Sequence, residues 1–319
     1  MKEKIVVLDG FAMNPGDLDW SPLAALGELE VFDRTPPELV VPRGKGAKIL
    51  LSNKTVIDGR AMKELPSLRF ISVLATGYNI VDTAAARALG IAVSNVPAYS
   101  SDSVAQLVFA YLLEWAQRAA AHSASVHAGE WVASPDFSYT LMPIHELAGQ
   151  TLGIVGFGRI GRTAARIAHG FGMRVLAVPH RPDAPPEDGV ELVSLDAMLP
   201  QADFVTLHCP LTDETRGLVD AAFLAKMKPG AYLVNTARGP LVDETALANA
   251  LKSGHLAGAA ADVLSTEPPK PDNPLLAAPN MILTPHLAWA TVEARRRLMQ
   301  VTVGNVVSFL AGKPVHVVN

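Results

Sequence analysis

At 319 residues, 49% hydrophobic and 18% charged, the chain is long enough for two domains and apolar enough to bury a full core, which excludes wholesale disorder. Its 27 basic and 31 acidic residues give a net charge of −4 with no basic tract, so neither a nucleic-acid partner nor a membrane surface has electrostatic support. The single cysteine, Cys209, excludes an internal disulfide and a Cys-rich zinc site and fits a reducing, cytoplasmic compartment.

The start, Met1-Lys2-Glu3-Lys4, is too charged for a signal peptide. Short apolar runs then read as buried strands: Ile5 to Leu8, Glu30 to Phe32, Ala47 to Leu51 and Phe70 to Leu74. Helical patterns lie between them, around Leu23–Leu26 and Ala84–Leu89. This alternation predicts a parallel sheet flanked by helices. Ser103 and Gln106, with Asp102 just ahead, have capping-box spacing and predict a long helix running to about Ala121. Its uncharged run, Ser103 to Leu113, is too short for a membrane span. Gly129 to Pro143 is rich in turn formers and carries Trp131, Phe137 and Tyr139, so it reads as an irregular arm.

A second alternation begins at Gln150. Its strand candidates are Thr151–Val155, Arg174–Val178, Phe204–Leu207, Tyr232–Asn235, Gly258–Val263 and Met281–Leu283. The last helix is expected over Val292–Leu310, with Leu298, Met299, Thr302, Val306 and Phe309 on one face and Gly312 and Pro314 as its stop. Arg295-Arg296-Arg297 on that helix reads most simply as a solvated face. Because the glycine-rich motif described next sits mid-chain, the expected organisation is a doubly wound Rossmann domain (100–289) inserted into a flavodoxin-like parallel-sheet domain (1–99 plus 290–319). Hinges would fall near Tyr99 and Trp289, beside a cleft.

The motif is Gly156-x-Gly158-x-x-Gly161, placed after a buried strand and before a helix. Gly156 permits a tight turn, Gly158 lets backbone approach a pyrophosphate, and Gly161 allows close helix–sheet packing. The amides at the helix start, around Arg159 and Ile160, would meet the phosphates. NAD-preferring sites usually end the next strand with an acid. Here Val178 is followed by Pro179-His180-Arg181, and no acid comes before Asp183. His180 and Arg181 either meet a 2′-phosphate or are merely solvated. The cofactor expected is therefore NAD(P)H, leaning to NADP(H). Three further segments each place one chemical group after a strand: Arg238 in Asn235-Thr236-Ala237-Arg238-Gly239, Glu267 after Asp262-Val263, and His286 in Thr284-Pro285-His286.

Together, in this order, these motifs resemble the D-isomer-specific 2-hydroxyacid dehydrogenases over nearly the whole chain. Leu8-Asp9-Gly10, Ser52-Asn53-Lys54-Thr55, Ala75 to Asn79 and His286 to Trp289 make it most similar to the glycerate dehydrogenase/hydroxypyruvate reductase branch. The resemblance implies that Arg238 clamps the substrate carboxylate, that His286 is the acid–base residue and that Glu267 binds the far side of its imidazole. It implies that Asp262 holds the nicotinamide carboxamide and that the backbone of Ala75, Thr76 and Gly77 grips the carboxylate. Cys209, Pro210, Thr215 and Ala237, together with Arg238 and His286 themselves, are the remaining cofactor contacts it suggests. Lys54 and Trp289 either line the substrate pocket or serve as a solvated amine and as hinge packing. No metal is expected. A small 2-oxo or 2-hydroxy acid is the implied substrate, with hydroxypyruvate/D-glycerate or glyoxylate/glycolate favoured, and a homodimer through the arm is the implied assembly. A dinucleotide-sensing corepressor on the same fold is the alternative, because fold alone does not decide function. Gln106 stands where many relatives carry Glu. The pair of Glu267 and His286 separates the chain from formate dehydrogenases, which use Gln at the Glu position.

Overall fold

The computed structural model describes residues 2–179 and 187–319. The chain forms two compact units, Met1–Ser100 with Ala290–Asn319, and Ser101–Trp289.

The first unit holds five parallel strands: β1 (Lys4–Val7), β2 (Glu28–Val31), β3 (Ile49–Ser52), β4 (Phe70–Val73) and β5 (Ala92–Ser94), in the order β2-β1-β3-β4-β5. That is the flavodoxin-like order. β3 and β4 are buried at every position, as sheets covered on both faces require. β2 lies at the edge, reads Glu-Leu-Glu-Val and is largely exposed. β5 has three residues and no extended apolar run, which is why the sequence pattern misses it.

The Val292–Leu310 helix belongs to this unit. Thr291 caps it by accepting the Ala294 N–H at 3.2 Å. Leu298, Met299, Thr302 and Val306 are buried, and Phe309 stacks on Phe70 at 4.5 Å. The solvated reading of Arg295 is wrong. It is 6% exposed and makes a bidentate pair with Asp17 at 2.6 Å, and its Nη1 also donates to the Met13 carbonyl at 3.2 Å. A planar fork that satisfies a carboxylate can be buried where a lone charge cannot.

The second unit holds seven strands among the described residues: β6 (Thr151–Val155), β7 (Arg174–Val178), β8 (Val190–Leu192), β9 (Phe204–Leu207), β10 (Tyr232–Asn235), β11 (Gly258–Ala261) and β12 (Met281–Leu283). All pair in parallel in the order β12-β11-β10-β9-β6-β7-β8. This is the Rossmann order extended by one strand, with the reversal between β6 and β9. β8, the short edge strand Val-Glu-Leu, is the one the sequence pattern misses. One apolar cluster gathers around Leu207, Leu233 and Leu247. Another gathers around Ile154, Val175 and Leu112.

The expected single helix to Ala121 is two helices, Ser101–Gln117 and Ala119–His127, broken where Arg118 takes φ +49°. The capping box does not form. The helix begins at Ser101, and the Ser103 hydroxyl instead donates to the Ala288 carbonyl. The arm contains one short helix, Glu130–Ala133, and is otherwise irregular. It leaves Val132 and Phe137 more than 90% exposed.

Candidate active site

In the second unit, β6 runs into the glycine loop and the Arg159–Gly170 helix. Gly156 has φ +96°, and a Cβ there would lie 2.5 Å from the Cys209 amide nitrogen. Gly161 packs so closely that its Cβ would lie 2.5 Å from the Gly156 carbonyl oxygen. Gly158 caps the helix with no side-chain hydrogen bond, and a Cβ there would meet nothing within 4 Å. A tight turn, an open backbone position and a helix start with no side-chain cap fit a pyrophosphate at the sheet's reversal. Arg159 is exposed and Ile160 half-buried beside it. His180 and Arg181, and Asp183 with them, lie outside the described residues.

After β9 come His208, Cys209 and Pro210. The Cys209 thiol is buried, and burial pushes its pKa up, the wrong direction for a nucleophile. Thr215 closes the next turn, its hydroxyl donating to the Pro210 carbonyl at 2.7 Å. Burial pulls the His208 imidazole down to about 4. Its Nε2 sits 3.1 Å from the Thr206 hydroxyl, and its Nδ1 has no partner among the described residues. The folded state thus resists a proton that the unfolded chain accepts near pH 6.5. Stability is expected to fall as pH drops from about 6.5 towards 4 and to be flat with respect to this group above 6.5. Urea midpoints of wild type and His208→Asn across that range check it. A wild-type decline no steeper than the variant's would contradict it.

Three strand ends carry the remaining groups. After β10, the Asn235 side chain folds the loop, donating to the Arg238 carbonyl at 2.9 Å and accepting the Ala237 N–H at 3.0 Å. Arg238 is exposed, and its Nη1 donates to the Ala237 carbonyl at 2.7 Å. The next residue is a point of backbone contact: a Cβ on Gly239 would sit 1.9 Å from the Leu264 carbonyl carbon and 2.4 Å from the Ser265 nitrogen. The segments bearing Arg238 and Glu267 therefore touch at Gly239. Glu267 Oε1 accepts the Leu264 N–H at 3.0 Å, and Oε2 lies 2.6 Å from His286 Nδ1. An ionised carboxylate only accepts, so Nδ1 carries the hydrogen and Nε2 is left for exchange.

Asp262, after β11, organises the loop that holds His286. Its carboxylate accepts the Thr284 hydroxyl at 2.5 Å and the N–H groups of Leu287 and Ala288, both at 2.8 Å. Its carbonyl accepts the His286 N–H at 2.8 Å. His286 sits at φ +53°, a region a β-carbon disfavours, and these bonds hold it there. Burial raises the Asp262 pKa, opposed by those donors and by the His286 charge. The buried Tyr111 hydroxyl bonds the Thr284 hydroxyl, and burial pushes the Tyr111 pKa up. Thr284 gives its one hydrogen to Asp262, so Tyr111 must donate. Ala288 is buried and Trp289, next to it, is half-buried. Sequence reading misses Tyr111 and Thr284 as supports, since both look like ordinary core and turn residues.

In the first unit, the Asp9 carboxylate accepts the N–H groups of Asn53, Lys54 and Thr55 at 2.7, 2.5 and 2.8 Å. Asn53 Nδ2 donates to the Leu74 carbonyl at 2.7 Å. Ala75 and Thr76 are pinned beyond β4: the Ala75 carbonyl accepts the Val96 N–H at 3.0 Å, and the Thr76 hydroxyl donates to the Val96 carbonyl at 2.9 Å. Lys54 is exposed and Gly77 half-buried. The Leu-Asp-Gly and Ser-Asn-Lys-Thr motifs are thus one structural feature, two strand ends tied by a carboxylate.

Residues 109–288 match the NAD binding domain of the D-isomer specific 2-hydroxyacid dehydrogenases. Over 99% of both chains the sequence is 47% identical to a hydroxypyruvate reductase of Blautia hydrogenotrophica. The chain belongs to the D-isomer specific 2-hydroxyacid dehydrogenase family. It is also 45% identical to a glycerate dehydrogenase of Methylorubrum extorquens, over 88% of each chain. Among solved structures it is similar to an NADPH-dependent glyoxylate/hydroxypyruvate reductase of Sinorhizobium meliloti in complex with NADP and malonate, with TM-score 0.83, 28% identity and coverage of 100% of this chain and 97% of that one. The family is one of nicotinamide-linked oxidoreductases, and the corepressor alternative finds no support in these likenesses. No helix among the described residues is long and apolar enough to cross a membrane.

Proposed function

We propose that the protein reduces a small 2-oxoacid to the 2-hydroxyacid, with hydroxypyruvate/D-glycerate or glyoxylate/glycolate as the pair. The observation that carries this reading is the Glu267–His286 pair at 2.6 Å, on a segment locked against the Arg238 loop at Gly239. The relatives' names, hydroxypyruvate reductase and glycerate dehydrogenase, favour this substrate class.

A bound nicotinamide dinucleotide supplies the hydride in reduction and takes it in oxidation. Gly156, Gly158 and Gly161, with the amides near Arg159 and Ile160, hold its pyrophosphate. Cys209, Pro210, Thr215 and Ala237 line its path, and Asp262 has one acceptor position left for the carboxamide. Arg238 offers a planar, permanently charged fork to the substrate carboxylate and draws charge towards its keto oxygen. The backbone of Ala75, Thr76 and Gly77 serves the same carboxylate, and Lys54 and Trp289 shape recognition of the rest. His286 Nε2 gives a proton to the oxygen as negative charge develops there. Glu267 holds Nδ1–H and orients the ring.

The cofactor preferred is NADP(H), because β7 ends at Val178 and is followed by Pro179, His180 and Arg181, with no acid before Asp183. Arg181→Ala is expected to lower kcat/KM for NADPH by about tenfold or more, the scale of a charge-assisted hydrogen bond, and to leave NADH nearly unchanged. Parallel initial rates with both cofactors check this, and a wild-type preference for NADH would overturn it. The proposed assembly is a homodimer through the arm, supported by the exposure of Trp131, Val132 and Phe137. An equilibrium sedimentation mass of one chain would contradict it. The lone cysteine favours the cytoplasm, and a cell fractionation placing the protein outside it would refute that.

A further inference from the structure

We propose that Glu244 is a positioning residue for the Glu267–His286 pair, fixing the segment that carries Glu267. The inference rests on the reading of that pair given above.

Glu244 opens the Glu244–Lys252 helix, but the cap is already made by Asp243, which accepts the N–H groups of Thr245 and Ala246 at 2.9 and 3.0 Å. The Glu244 carboxylate is turned to another task. Its Oε1 accepts the Ser265 N–H at 2.7 Å, and its Oε2 accepts Asn273 Nδ2 at 2.8 Å. One carboxylate therefore holds both ends of the 265–273 segment.

That segment needs holding. Residues 265–272 are all exposed, so almost no apolar burial fixes them. Glu267 lies inside it and must keep Oε2 at 2.6 Å from His286 Nδ1. A segment free to move by an ångström would lose that bond and the ring orientation with it. Among the described residues, Glu267 faces His286 directly and Asp262 acts on it through the field. Asp262 is anchored by its own donors and does not depend on Glu244.

The test compares pH profiles of kcat for hydroxypyruvate reduction in wild type, Glu244→Ala, Glu267→Gln and the double variant, with dinucleotide Kd measured beside them. Glu244→Ala is expected to lower kcat about tenfold, the scale of two lost hydrogen bonds. It is also expected to move the alkaline limb to lower pH, in the same direction as Glu267→Gln, with dinucleotide Kd little changed. The double variant is expected to shift no further than Glu267→Gln alone, because Glu244 acts through Glu267. Glu244→Gln, which keeps one acceptor oxygen, is expected to lie between and carries the test if the alanine variant does not fold. A Glu244 variant with an unmoved pH limb, or fully additive effects in the double variant, overturns the proposal. If Glu267→Gln itself moves nothing, it is the catalytic reading that fails.

Discussion

Replacing His286 by alanine is expected to lower kcat for 2-oxoacid reduction by roughly 10²–10⁴-fold, the usual contribution of a positioned acid–base group. Dinucleotide binding should survive, because the glycine loop and the helix start are built from β6 and the Arg159–Gly170 helix, away from the β12 end that carries His286. The loss should appear equally in kcat and kcat/KM, as for an interaction made only in the transition state. Asp262 should keep the loop in place, since it holds the N–H groups of residues 286–288 through backbone atoms that alanine retains. Stopped-flow reduction with fluorescence titration of dinucleotide reads both quantities. A variant within tenfold of wild type would remove His286 from the chemistry.

The second large effect is expected from a residue with no side chain. Gly239→Ala places a methyl group 1.9 Å from the Leu264 carbonyl carbon. Both partners are backbone, so no rotamer change relieves the overlap and the two loops must part. Overpacking of this kind costs about 3 kcal/mol, taken at the upper end of its usual range. For a unit of this size, that is a fall in Tm of roughly 6–12 °C. Activity should fall more than stability explains, because parting the loops displaces Arg238 from one side and the Glu267 segment from the other. Assays well below the variant's Tm separate the two effects. Near-normal kcat/KM there would show that the contact at Gly239 does not align the site.

Much of the fold is legible in the sequence for a physical reason. Strands buried on both faces must be continuous apolar runs, so the central members of each sheet stand out, and helices between them dictate parallel order. The elements missed, β5 and β8, have three residues each and carry little such signal. The long helix is misread where Arg118 breaks it in a left-handed conformation that nothing in Glu114 to Ala121 announces. Arg295 is misread because its partner, Asp17, is 278 residues away.

The same distinction divides the site. Gly156, Gly158 and Gly161 are readable because their spacing between a strand and a helix is local, and the structure shows a steric reason for Gly156 and Gly161 and open space at Gly158. Arg238, Glu267 and His286 can be picked out by their positions after strands. The supports cannot. Glu244 looks like an ordinary helix-opening acid, Tyr111 like core, Thr284 like a turn residue, and Asp9 like the end of a strand. Each acts through a partner remote in sequence, from 21 to 173 residues away. Periodicity and short motifs carry no record of such pairings.

The central claim is that this chain is a D-specific 2-oxoacid reductase run by Arg238, Glu267 and His286. The most direct measurement mixes the enzyme with hydroxypyruvate and NADPH, follows cofactor oxidation and resolves the product by chiral chromatography. The account predicts one equivalent of D-glycerate for each NADPH oxidised. Tight dinucleotide binding without oxidation of either NADPH or NADH, with hydroxypyruvate or glyoxylate, would contradict it, as would an L-hydroxyacid product.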